Sequence, residues 1–143
     1  MKTVRDILQS KQAAMWTVPP QATAYEALQL MAEKDIGAVV VVDKAKPVGI
    51  FSERDYARKV ILKGKSSKET SVRELMSRPV LYVHPEQAVE ECMALMTEKR
   101  VRHLPVMDAR KLTGIVSIGD IVKAVIADQE FTIHQLENYI TSG

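Results

Sequence analysis

Gly49-Ile-Phe-Ser-Glu-Arg-Asp55 occurs a second time in the chain, as Gly114-Ile-Val-Ser-Ile-Gly-Asp120. Each stretch reads as a buried strand ending in a serine that caps the next helix, with an aspartate three residues further on. Working outward from this pair, an offset of 65 lays residues 18–55 on residues 83–120 without a gap. Identities on that register include Pro20/Pro85, Glu26/Glu91, Met31/Met96, Val41/Val106 and Asp43/Asp108. Upstream, Val4-Arg-Asp-Ile-Leu8 echoes Val72-Arg-Glu-Leu-Met76 at an offset of 68, so three residues were gained or lost between. The chain is a duplicated unit.

Each copy reads as helix, strand, helix, strand, strand, helix. The leading helix covers residues 4–10 or 72–76, and a short strand ends at Val18 or Val83. Thr23-Ala-Tyr-Glu26 spells a capping box, after which Ala24, Ala27, Leu28 and Met31 recur at helical spacing; Val89, Cys92, Met93 and Met96 repeat the stripe. Strands follow at 38–43 and 47–51, joined by Lys44-Ala45-Lys46, and in the copy at 104–108 and 111–116. The expected domains are a first repeat over 1–62, a polar linker over 63–71, a second repeat over 72–127 and a helical tail over 128–143. Thr132 is expected to cap a separate short helix running to Tyr139. The fold class is α/β in the α+β sense. A unit of roughly 60 residues buries only a marginal core, so the two should pack sheet to sheet as a pseudo-twofold pair.

Composition narrows the function. Apolar residues make up 46% and charged residues 27%, the balance of an ordinary globular chain. A net charge of +2 gives no reason to expect a nucleic-acid or membrane partner. The basic run Arg54, Arg58, Lys59, Lys63, Lys65 and Lys68 reads as a solvated face. One cysteine, Cys92, allows no internal disulfide and reads as a small core hydrophobe. The longest apolar run, residues 38–42, is too short to span a bilayer, and the N-terminus is interrupted by charge, so a cytoplasmic location is expected. His84, His103 and His134 lack metal-ligand spacing. No Walker-type loop or Gly-x-Ser-x-Gly elbow is present, so the sequence predicts no catalytic residue, catalytic cofactor or metal site.

Taken singly, Ser-x-x-Asp is an adequate helix cap and needs no further role. Two copies, each after Gly-Ile, favour a functional use of the same geometry: a helix N-terminus can hold a phosphate, and a carboxylate can accept ribose hydroxyls.

The tandem Gly-Ile-x-Ser-x-x-Asp signature, the repeat and Val101-Arg-His-Leu-Pro-Val106 together resemble the CBS-domain family, over roughly residues 4–126. The resemblance implies paired βαββα units, frequent homodimers, and AMP, ADP, ATP, NAD or S-adenosylmethionine bound in clefts between the repeats. It implies regulation of some other, unidentified protein, not catalysis. Asp55 and Asp120 match the ribose-binding aspartate, and Ser52 and Ser117 the phosphate-side hydroxyl. Arg102 and His103 match basic phosphate ligands; their first-repeat equivalents, Gly37 and Ala38, carry no charge, and Arg54 is the substitute there. By the same resemblance Met15, Trp16 and Ile36 would pack on adenine at the Asp120 site, and Val80, Leu81 and Val101 at the Asp55 site. The expected function is an adenine-nucleotide sensor, with AMP or NAD as first choices. The alternative is an adaptor that dimerises with its clefts empty.

Overall fold

A computed structural model describes residues 2–11 and 15–142, the side chains of 141 and 142 excepted. The elements in order are α1 (Val4–Lys11), β1 (Thr17–Val18), α2 (Ala24–Lys34), β2 (Ala38–Asp43), β3 (Lys46–Ser52) and α3 (Glu53–Tyr56). A π-helical turn (Ala57–Ile61) follows, then α4 (Val72–Leu75), α5 (Val89–Lys99), β4 (His103–Asp108), β5 (Lys111–Ser117) and α6 (Ile118–Ser142). The chain forms two compact units, one of residues 15–81 and one of residues 1–14 with 82–143. These are not the sequence repeats: each leading helix has joined the other copy.

In the unit of residues 15–81, β2 is the middle strand of the order β1-β2-β3, parallel to β1 and antiparallel to β3. A middle strand covered on both faces needs an unbroken apolar run. Ala38, Val39, Val40 and Val41 supply it, and all are buried. Val18, Ala27, Met31 and Phe51 share their core with Val72, Leu75 and Met76 from the α4 segment. The Thr23 hydroxyl accepts from the Glu26 N–H at 3.1 Å, which caps α2 as expected.

The other unit repeats the scheme. β4 pairs antiparallel with β5, and Val83 forms a parallel bridge to Val106. Val89, Cys92, Met96, Leu104, Val116 and Ile121 are buried, as are Val4 and Ile7 of α1.

The exchange of leading helices shows in matched hydrogen bonds. The Val72 and Arg73 N–H groups donate to the Ala22 and Pro20 carbonyls at 2.8 and 3.0 Å. The Val4 and Arg5 N–H groups donate to Gln87 and Pro85 at 3.0 and 2.9 Å, the equivalents 65 residues on. Orphan amides at a helix start are thereby satisfied by the same loop in each unit. The repeated glycines have the same cause. A Cβ on Gly49 would meet the Met76 side chain at 2.5 Å, and one on Gly114 would meet Leu8 Cδ2 at 2.7 Å. Each glycine makes room for the leading helix of its own spatial unit.

One expected element changes. The tail is not a separate short helix, because α6 runs unbroken for 25 residues. No Gly or Pro interrupts residues 120–142. The Thr132 hydroxyl donates back to the Asp128 carbonyl at 3.1 Å, the bond of a mid-helix threonine and not of a cap.

Candidate functional site

Each strand-to-helix corner is built by register. β3 sets Ser52 opposite Ala38, and β5 sets Ser117 opposite His103. The first helical amide then reaches across: Glu53 N–H donates to the Gly37 carbonyl at 3.0 Å and Ile118 N–H to the Arg102 carbonyl at 2.8 Å. Gly37-Ala38 and Arg102-His103 are therefore equivalent in space as well as in sequence. Arg102 is exposed and His103 half-buried.

The two aspartates close their corners in the same way and then diverge. Asp55 Oδ2 accepts from the Ser52 N–H and hydroxyl, both at 3.0 Å, and Asp55 N–H donates to Ser52 Oγ at 3.1 Å, a full capping box. Its Oδ1 accepts from the Ser77 hydroxyl at 3.0 Å and pairs with Lys59 Nζ at 3.2 Å. Lys59 also donates to the Leu75 carbonyl at 2.9 Å. Both carboxylate oxygens are thus engaged.

Asp120 Oδ2 accepts from the Ser117 N–H at 2.8 Å and from Lys11 Nζ at 2.8 Å, while Asp120 N–H donates to Ser117 Oγ at 3.1 Å. Lys11 also donates to the Ile115 carbonyl at 3.0 Å. Among the described residues nothing hydrogen-bonds Oδ1. Burial pushes the Asp120 carboxyl up, but the Lys11 ammonium and the Ser117 N–H outweigh it and hold the group below its ordinary value.

Lys11, Lys59 and Ser77 are site residues that the sequence reading missed. Lys59 was legible as an i,i+4 partner of Asp55. Lys11 and Ser77 come from exchanged segments whose counterparts, Pro79 and Gln9 at the offset of 68, carry no matching group.

The residues expected to face adenine are divided between the units. Met15, Trp16 and Ile36 lie in the unit of residues 15–81, and Asp120, Arg102, His103 and Ser117 in the other. Val80 and Leu81, both half-buried, share a unit with Asp55, Ser52 and the exposed Arg54, whereas Val101 does not. Ile36 and Val101 are equivalent, each donating its N–H to the methionine five residues earlier, Met31 or Met96, at 3.0 and 3.1 Å. Ile36 and Gly37 line an open depression of about 340 Å³ with Glu53. Trp16 is partly exposed, with Lys34 Nζ 4.3 Å from its ring centroid. No group of three or more His, Cys, Asp or Glu among the described residues could hold a metal. No helix among them is long and apolar enough to cross a membrane.

Comparison with known proteins agrees with this geometry. The CBS-domain profile matches residues 3–62 and again 72–127. The mitochondrial CBS domain-containing protein CBSX3 of Arabidopsis thaliana is 37% identical over 151 residues, spanning 99% of this chain and 73% of its own. A solved structure from Burkholderia ambifaria, of a CBS-domain protein proposed to act in signal transduction, is 54% identical with a TM-score of 0.84, covering 90% of this chain and 96% of that one. Hypoxic Response Protein I, solved with two coordinated zinc ions, is 31% identical with a TM-score of 0.72, over 85% of this chain and 98% of that one. CBS pairs commonly serve as regulatory modules that bind adenosine-containing ligands. On its duplicated sequence, its α+β architecture and these matches, the chain belongs to the CBS-domain family as a tandem pair.

Proposed function

We propose that the chain is a non-catalytic sensor that binds AMP or NAD at the Asp120 corner and transmits occupancy to another protein. The observation that carries this reading is Asp120 Oδ1, without a hydrogen-bond partner among the described residues, at a helix start whose first amide donates to the carbonyl of the exposed Arg102. The carboxylate accepts ribose hydroxyls, and Arg102 with the Ser117 helix end meets the phosphate. The Asp55 corner, with both oxygens engaged and no basic residue at Gly37 or Ala38, binds more weakly.

Calorimetric titration of AMP and adenosine into wild type and Arg102→Ala tests this. Wild type should prefer AMP, and Arg102→Ala should lose most of that preference while still binding adenosine. An unchanged preference would place the phosphate elsewhere, and equal binding of AMP and GMP would overturn the adenine reading. The adaptor reading draws support from Lys11 and Lys59, which already neutralise both aspartates. It would prevail if no nucleotide co-purified and none raised the melting temperature, since a ligand of the folded state must stabilise it.

A further inference from the structure

The basic run that reads as a solvated face in the sequence carries more than charge once it is folded. After α3 the π-helical turn buries Val60 completely and leaves Ile61 58% and Leu62 76% exposed. The chain then bends at Gly64, whose φ of +67° a glycine adopts without strain. The turn is held from within. Leu62 N–H donates to the Ala57 carbonyl at 3.1 Å, Gly64 N–H to Ile61 at 3.2 Å and Lys65 N–H to Val60 at 3.0 Å. Its far side is tied down by the Tyr56 hydroxyl, 2.8 Å from Ser67 Oγ, and by the Tyr25 N–H, which donates to the Ser67 carbonyl at 2.9 Å. Residues 61–66 are all exposed. Two aliphatic side chains are thus presented outward on an ordered, hydrogen-bonded turn.

Five basic and no acidic residues lie between Ala57 and Lys68. Lys59 is engaged by Asp55 and the Leu75 carbonyl, which leaves Arg58, Lys63, Lys65 and Lys68, all exposed. Lys68 Nζ lies 4.9 Å from the ring centroid of Tyr25, which flanks the turn. The fold does not demand this charge. At the offset of 65 the second copy carries Asp128 and Glu130 where the first carries Lys63 and Lys65. Exposed aliphatic residues set among cations match an anionic bilayer, where apolar side chains enter the acyl boundary and ammonium groups meet the lipid phosphates. Nucleic acid would take the cations but leave Ile61 and Leu62 without a partner, since bases stack on aromatic rings.

We propose that the turn of residues 58–68 is a docking surface for an anionic membrane, with Ile61 and Leu62 entering the lipid and Arg58, Lys63, Lys65 and Lys68 meeting its phosphates. The proposal does not depend on nucleotide binding. Cosedimentation of the full chain with vesicles tests it, using phosphatidylcholine alone and equal parts phosphatidylcholine and phosphatidylserine. Wild type should bind the mixed vesicles and not phosphatidylcholine alone, and should be released as salt rises. Lys63→Asp with Lys65→Glu, which installs the residues of the second copy, should weaken binding roughly tenfold or more. Ile61→Ser with Leu62→Ser should weaken it comparably without changing the charge. Arg110→Glu with Lys111→Glu makes an equal change of net charge at exposed residues of the other unit, and should bind as wild type does. Failure of wild type to bind the mixed vesicles overturns the proposal. So does retention of binding by the Ile61 and Leu62 variant, an equal loss with the Arg110 and Lys111 variant, or tighter binding of duplex DNA than of the mixed vesicles. Every substituted side chain is exposed, so each variant should melt near the wild-type temperature, which reports that it remains folded.

Discussion

Lys11 Nζ lies 2.8 Å from Asp120 Oδ2, an ion pair closed across 109 residues of chain. It fastens α1 to the corner that carries the nucleotide site. Because the folded carboxyl is held below its ordinary value of 3.8, the pair stabilises the fold above that pH and is lost as pH falls through the lower native value. Lys11→Met should therefore cost about 1.5–3 kcal/mol near neutral pH, the range for hydrogen bonds to charged groups. The difference from wild type should close below pH 3.8. Urea unfolding at neutral and acid pH measures both, and a deficit that persists unchanged in acid would mean that packing of α1, and not the charge, was lost.

Asp55 and Asp120 should respond differently to removal. Asp120→Ala deletes the acceptor with an open oxygen and should weaken AMP binding roughly ten- to a hundredfold. Asp55→Ala removes contacts to Ser52, Ser77 and Lys59 and should lower the melting temperature while changing AMP affinity little. Calorimetry alongside thermal unfolding separates the two effects. Equal losses of affinity would contradict the asymmetry.

The repeated glycines predict a rescue. Gly114→Ala should destabilise by about 1–3 kcal/mol, since its Cβ would overlap Leu8 Cδ2. Leu8→Ala in the same chain should recover part of that loss, giving a favourable coupling in a double-mutant cycle. Gly49→Ala should be harder to relieve, because its Cβ would also meet Met76 Cβ, which the backbone holds, at 2.9 Å. Strict additivity of Gly114→Ala and Leu8→Ala would refute the close packing.

Cys92 should be inert in the folded protein. It is fully buried, and burial, with Glu91 and Glu90 nearby, pushes its thiol up to about 11. A thiol reagent at neutral pH should label it slowly in buffer and fast in denaturant. Rapid labelling of the native protein would mean that α5 opens readily.

Much of this was legible because the chain carries its own comparison. Ser52, Asp55, Ser117 and Asp120 stood out through repetition, and the pleat then dictated that Arg102-His103 and Gly37-Ala38 occupy equivalent corners. What periodicity could not show was which copy each leading helix joins. Both choices satisfy the same apolar stripe, so the pattern does not distinguish them. Lys11 escaped for the same reason: it matters only once α1 has crossed to the other copy. The tail was read as a separate helix because Thr132 resembles a cap, yet nothing in residues 120–131 breaks the helix before it.

The crossing of α1 bears on how the molecule is made. During synthesis α1 emerges well before Gln87, Pro85, Gly114 and Asp120, which receive it and follow roughly 80 to 110 residues later. The unit of residues 15–81 carries all its own parts and can close first. Until residues 85–120 emerge, Val4 and Ile7 lack the partners that cover them, and the nascent chain carries an unsatisfied apolar helix. A half-chain cut within residues 63–71 would inherit one leading helix and one vacancy of the wrong pairing. Two such halves would complete each other by trading helices, so a lone repeat should exist as an interlocked pair and not as a monomer.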